Sequence, residues 1–159
     1  MSVNTKLVFH SAVKLFKNGA IPPYNSEIDA TTSAQADSSL IWQQWGRSNW
    51  HLVLSTPERA ILELLDNVPK RETFHQADVL MEGLRNLSPR RLQTLLDDCR
   101  SVKVKRLFLW FAERHNHAWL KKLDHSKIDL GKGKRLLVHG GKLDPKYNIT
   151  VPEKMNGDI

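Results

Sequence analysis

The sequence predicts an α+β fold, in which four to five short helices pack against a small, mostly antiparallel sheet. Three observations predict it. Between residues 55 and 100, hydroxyl-plus-proline helix starts precede apolar residues spaced for one helical face. Short polar loops separate these segments, as in an antiparallel helical cluster. Beyond residue 130 the period changes to short strand-like runs divided by turn residues. The chain has 159 residues, 40% hydrophobic and 26% charged, enough for one sizeable core or one domain with an appendage.

The elements follow in order. LVFHSAVKLF (7–16) reads as a strand or short hairpin. The stretch 20–48 is the least regular, with Pro22-Pro23 and the polar run ATTSAQADSS at 30–39. HLVLS (51–55) reads as a buried strand. Trp42, Trp45 and Trp50 surround it, either as a stacking platform for bases or as cover for the core edge; the usual burial of tryptophan favours the second. STPE (55–58) offers a hydroxyl N-cap, Pro57 in the first turn and Glu58 in a capping box with Ser55. Ile61, Leu64, Leu65 and Val68 form the apolar face, and Pro69 ends the helix. A second helix is expected from about Thr73 to Asn86, burying Ala77, Leu80, Met81 and Leu84. Ser88-Pro89 opens a third with Leu92, Leu95, Leu96 and Cys99 inside. The fourth begins near Val102 and buries Val104, Leu107, Phe108 and Phe111, turning Lys103, Lys105 and Arg106 toward its margins and outer face. HAWLKKLD (117–124) adds a helical turn. KRLLVH (134–139) and YNITV (147–151) read as strands joined through GGKLDPK. The domain division is residues 1–49 as an irregular, strand-containing segment, 50–152 as the main domain and 153–159 as a tail.

The net charge is +7, unevenly spread. Residues 100–159 carry 14 basic and 6 acidic groups, whereas residues 56–99 carry 6 and 8. Two runs, SVKVKRLFLWF (101–111) and GKGKRLLVHGGK (131–142), hold this positive charge directly beside apolar residues. Solvated charged tails carry few large apolar residues, so the charge belongs to packed structure. Lys103, Lys105, Arg106, Lys132, Lys134, Arg135 and Lys142 are the candidate contact surface for nucleic acid or an acidic partner. The plainer reading is a solvated face on a core helix and a core strand.

Catalytic and metal chemistry is not expected. His115 and His117 lie at i and i+2, which point about 200° apart on a helix, and no Cys/His/carboxylate set has zinc spacing. Surface or helix-end histidines are the better reading. GKGKR (131–135) fails the Walker pattern, because Ile128 stands where the first glycine belongs and Arg135 where Ser or Thr would hold magnesium. A Gly-rich turn beside Lys132, Lys134 and Arg135 could still form an anion nest. Glu58 and Glu63 do not aim two carboxylates at one atom. Cys99 reads as a core thiol; a single cysteine excludes an intrachain disulfide and suits a reducing cytoplasm. No cofactor, signal peptide or membrane span is expected.

STPERAILELLDNVP, LMEGLRNLSPRRLQTLLDDCRSVKVKRLFLWFAE, LGKGKRLLV and YNITVP, in this order, resemble the C-terminal region of AbiEi-family proteins. These are antitoxins and transcriptional regulators of type IV toxin–antitoxin, abortive-infection systems. The resemblance covers roughly residues 50–152. It implies a bacterial, cytoplasmic, non-enzymatic protein that counteracts a nucleotidyltransferase toxin, often without a stable complex. Family members typically carry an N-terminal winged-helix domain that binds operator DNA. Residues 1–49 show no set of amphipathic helices resembling one, so that domain is expected to be absent, which weakens operator recognition and leaves the antitoxin role. The alternative is a general nucleic-acid-binding or regulator module without a toxin partner, contacting DNA or RNA. Oligomeric state is not legible.

Overall fold

Thr73, Ser88 and Ser101 each turn the chain into a helix by accepting a backbone N–H three residues on, from Gln76, Arg91 and Val104. Such caps satisfy amides that the first helical turn leaves without partners. The computed structural model describes residues 15–17, 24–25, 38–47 and 50–155. Within these, β1 (Tyr24–Asn25), β2 (Leu40–Trp45) and β3 (Trp50–Ser55) precede α1 (Pro57–Asp66), α2 (Phe74–Gly83), α3 (Pro89–Asp98) and α4 (Val102–Arg114). Two 3₁₀ turns, Ala118–Lys122 and His125–Lys127, then lead to β4 (Lys142–Asp144) and β5 (Ile149–Val151).

The α+β class is as the sequence predicts, with the helices packed around α4. Apolar residues at 104, 107, 108, 109, 111 and 112 of that helix are all buried. Helices α1 and α2, the first 3₁₀ turn and β5 all contact it. Phe108 stacks on Trp119 at 5.4 Å between centroids, and Phe111 meets Phe74 and Trp110. Cys99 is fully buried at the end of α3, and burial pushes its thiol pKa up.

The strands form two sheets. In the first, β1 pairs parallel to β2, and β2 pairs antiparallel to β3 from Leu40↔Ser55 to Trp45↔Trp50. In the second, β4 pairs antiparallel to β5 from Lys142↔Val151 to Asp144↔Ile149. Phe16 forms a bridge to Cys99, with Lys17 N–H donating to Asp98 O at 3.0 Å and Arg100 N–H to Leu15 O at 2.8 Å. The Phe16 ring is buried beneath the Arg59 guanidinium, 4.7 Å from its centroid. Residues well before 50 thus enter the same core.

Several expectations are corrected. Residues 40–45, expected to be irregular, form a strand because β3 supplies their backbone partners. β3 itself forms as expected, but Val53 and Leu54 are exposed, so it is not a buried strand. Glu58 does not close a capping box. Buried, it accepts from Ser88 N–H at 2.8 Å and pairs with Arg91 at 3.2 Å, tying α1 to the start of α3. Ser55 bonds Glu63 instead, and Thr56 is the residue at the N-cap. Leu80 is exposed, because α2 ends at Gly83 and rests on the core through Phe74, Ala77 and Met81. KRLLVH does not form a strand. β5 pairs with residues 142–144, and only Arg135 makes a bridge to Ile149. Gly141 enforces this close packing, since a Cβ there would sit 2.4 Å from Val151 O. Residues 7–14 of the first expected strand, and the contacts of the Trp42, Trp45 and Trp50 side chains, lie outside the described residues.

Truncating Phe108 to alanine is expected to cost about 3–5 kcal/mol in urea unfolding, the range for a buried aromatic. Leu80→Ala, outside the core, is expected to cost less than about 1 kcal/mol. Equal losses would contradict this division of the apolar residues.

Candidate functional site

The seven basic residues expected to form one surface divide into two groups. Lys105 and Arg106 are only 4% and 2% exposed, so neither faces outward from α4. Arg106 Nε–H donates to Leu130 O at 2.8 Å, and Nη1 donates to Gly133 O at 2.7 Å and Asn148 O at 3.3 Å. Lys105 Nζ donates to Asp129 O at 2.9 Å. Lys103, half-buried, donates to Asp66 O at 2.6 Å and Val68 O at 2.9 Å, at the end of α1. Burial lowers the Lys103 pKa, with Asp66 working against that and Lys70 adding to it. Burial also pulls the Arg106 guanidinium down, and the neighbouring charge of Arg135 adds to the effect. Arginine remains charged through such a shift.

The acceptors of Lys105 and Arg106, and the close acceptors of Lys103, are backbone carbonyls at the end of α1, in the 129–133 loop and at Asn148, whose oxygen also takes the Arg135 N–H. Buried carbonyls need a donor, and a guanidinium supplies several in a fixed plane. The sequence signal was misleading because helical spacing gives a side chain's direction but not whether another segment lies there. Residues 128–135 cover that face of α4.

Lys132, Lys134, Arg135 and Lys142 are exposed and make no side-chain hydrogen bond or ion pair among the described residues. The first three stand on one loop whose backbone is bonded at several points. Asp129 accepts from Gly131 N–H at 2.8 Å. Arg135 N–H donates to Asn148 O at 2.8 Å, and Thr150 N–H donates to Arg135 O at 3.0 Å. The Thr150 hydroxyl accepts from the amides of Leu137 and Val138 at 2.7 and 3.1 Å. Gly131 and Gly133 take positive φ, +61° and +79°, which glycine adopts without steric cost. Lys142 lies on β4 and borders a cleft of about 310 Å³ with Trp110, Arg114, Pro152 and Met155.

Leu136 is a residue the sequence reading missed as a surface feature. It is 63% exposed, directly after Arg135. The glycines at 131, 133, 140 and 141 on either side were the available signal, since they break strand continuity. The anion-nest geometry is limited at one point, because the Asp129 carboxylate already occupies the Gly131 amide.

The histidines take structural roles. His117 is buried, not surface-lying, with Nε2 2.6 Å from Met81 O and its ring stacked on Trp119. His115 Nε2 lies 2.7 Å from Asp78 Oδ1. Among the described residues no group of three His, Cys, Asp or Glu side chains could hold a metal ion. No helix among them is long and apolar enough to cross a membrane.

Glu113 fastens the β4–β5 turn to α4. It accepts from Tyr147 Oη–H at 2.7 Å and from Lys146. Burial would raise the Glu113 pKa, but the bonds from Lys146 and Tyr147 outweigh it and hold the carboxyl below its usual range. Burial and the Glu113 charge push the Tyr147 phenol well above its ordinary value.

A model of the family described as "Transcriptional regulator, AbiEi antitoxin, Type IV TA system" matches residues 16–152. The chain belongs to that family. Comparisons with curated proteins and with solved structures find no match. The matched span begins at Phe16, the residue whose ring enters the core.

Arg106→Lys is expected to lower stability by about 1–3 kcal/mol, because one ammonium cannot replace the fork across several carbonyls. Amide exchange at Arg135 and Thr150 should quicken in that variant and stay unchanged in Lys132→Gln. A separate expectation concerns pH. The folded pKa of Glu113 is lowered, so its contribution is present above the ordinary value of about 4.3 and is lost as pH falls through the folded value. Urea midpoints of Glu113→Gln should therefore show a shallower acid limb than those of the wild type.

Proposed function

We propose that this AbiEi-family chain acts in the cytoplasm as a non-enzymatic antitoxin that counteracts a nucleotidyltransferase toxin. Its exposed cations, Lys132, Lys134, Arg135 and Lys142, supply the contact with the toxin or with nucleic acid. The observation that carries the reading is a backbone-pinned loop with three unpaired cations in a member of an antitoxin and regulator family. A pinned loop loses little entropy on binding, and clustered charge speeds encounter with an acidic target. Lys103, Lys105 and Arg106 serve this surface from below, by holding the loop and the end of α1 in place.

A second reading is a nucleic-acid-binding regulator that works without a toxin partner. It is favoured by the charge of residues 130–142, which include four Lys or Arg and no Asp or Glu.

Co-expression with a nucleotidyltransferase toxin of a type IV system is expected to restore growth. A variant with Lys132, Lys134, Arg135 and Lys142 all changed to Glu should keep its thermal midpoint and lose most of the rescue. Full rescue by that folded variant would remove the role given to the loop. Failure of the wild type to rescue would remove the antitoxin reading and leave the regulator.

A further inference from the structure

The pinned loop carries one feature that charge does not explain. Leu136 is 63% exposed, the most exposed of the large apolar side chains described. A leucine in that position gains nothing for the core. Its neighbours Lys134 and Arg135 are exposed cations, while Leu137 and Val138 on its other side are partly buried and held by the Thr150 hydroxyl. The leucine thus stands between a charged segment and one whose amides are bonded to Thr150.

We propose that this loop engages the minor groove of duplex DNA, with Leu136 as an apolar wedge between base steps and Lys132, Lys134 and Arg135 on the flanking phosphates. This rests on the nucleic-acid side of the reading above and names its substrate. Minor-groove proteins combine cations at the backbone with an aliphatic side chain that partly unstacks a step. Three properties of the loop favour this target. Residues 130–142 hold no Asp or Glu, which suits a polyanion. They also hold no Phe, Tyr, Trp or Met, which enrich protein interfaces together with Arg, and Arg135 is the one residue of that set in the segment. Without Phe, Tyr or Trp they offer no aromatic platform on which single-stranded bases would stack. Gly133, at positive φ with open space where a Cβ would stand, leaves the backbone uncovered beside the cations, so the loop can approach a phosphate closely there.

The groups around the wedge have separable effects. The cations set the salt dependence, and removing one phosphate-binding cation reduces the slope of log affinity against log salt by about 1. Leu136 is uncharged and leaves that slope alone. Its contribution appears instead in the stacking of the step it enters, and a flexible TA step yields most easily.

The test uses the full chain and a duplex of about 20 base pairs, A·T-rich, with 2-aminopurine at a central TA step, where pyrimidine–purine stacking is weakest. Wild type is expected to bind at low salt and to raise the 2-aminopurine fluorescence. Leu136→Ala should bind about tenfold more weakly, with an unchanged salt slope and no rise in fluorescence. Lys134→Gln should reduce the slope and keep the rise. Circular dichroism verifies that each variant is folded. An undiminished fluorescence rise with Leu136→Ala overturns the wedge, as does tight binding by wild type without any rise. Stronger binding to single strands or to polyglutamate than to the duplex overturns the choice of DNA. If no nucleic acid binds even at low salt, the nucleic-acid reading fails with it, whereas loss of the wedge alone leaves the rescue experiment untouched.

Discussion

The rest of the structure depends on the Arg106 guanidinium, buried on the central helix and bonded to carbonyls of Leu130, Gly133 and Asn148. A buried cation is costly unless its donors are used. Loop carbonyls partly withdrawn from water also need donors. The two requirements cancel each other here, and Lys105 repeats the arrangement at Asp129. Lys103 does the same for the end of α1, where helix geometry leaves the last carbonyls unpaired. One short stretch of α4 therefore ties together the first helix, the glycine loop and the turn before β5.

This constraint also decides what the surface can be. Charges used to hold carbonyls are withdrawn from contact with a partner, and of the candidate cations that stay exposed, Lys142 lies on β4 and the other three on a loop without regular secondary structure. Such a loop would ordinarily be mobile. Here Arg106 holds it from below, Asp129 from its start, and Asn148 and Thr150 from β5 and the turn before it. The result is a display of Lys132, Lys134, Arg135 and Leu136 on a segment bonded to α4 and β5.

The legible parts of the sequence were those governed by local rules. Thr73, Ser88 and Ser101 mark helix starts through bonds made within one turn. The Leu92, Leu95, Leu96 and Cys99 face is buried as its spacing requires. Less legible were elements whose partners are distant. Glu58 looks like a capping residue until Ser88 and Arg91 are brought beside it. KRLLVH has the composition of a strand, yet β5 takes residues 142–144 as its partner. β-propensity describes a fit to a neighbouring surface, and the neighbour was not in the local sequence. Of the candidate contact residues, the sequence located both basic runs but could not divide them.

By itself, the sequence determined the fold class, the helix starts, most of the core and the resemblance to the AbiEi family, because caps, periodicity and ordered motifs are written in neighbouring residues. Tertiary structure alone decided which cations are buried and which are free. A lysine or arginine on a helix can point into water or beneath a covering loop with the same local pattern. Only the path of residues 128–135 across α4 makes Arg106 a structural group and leaves Arg135 on the surface.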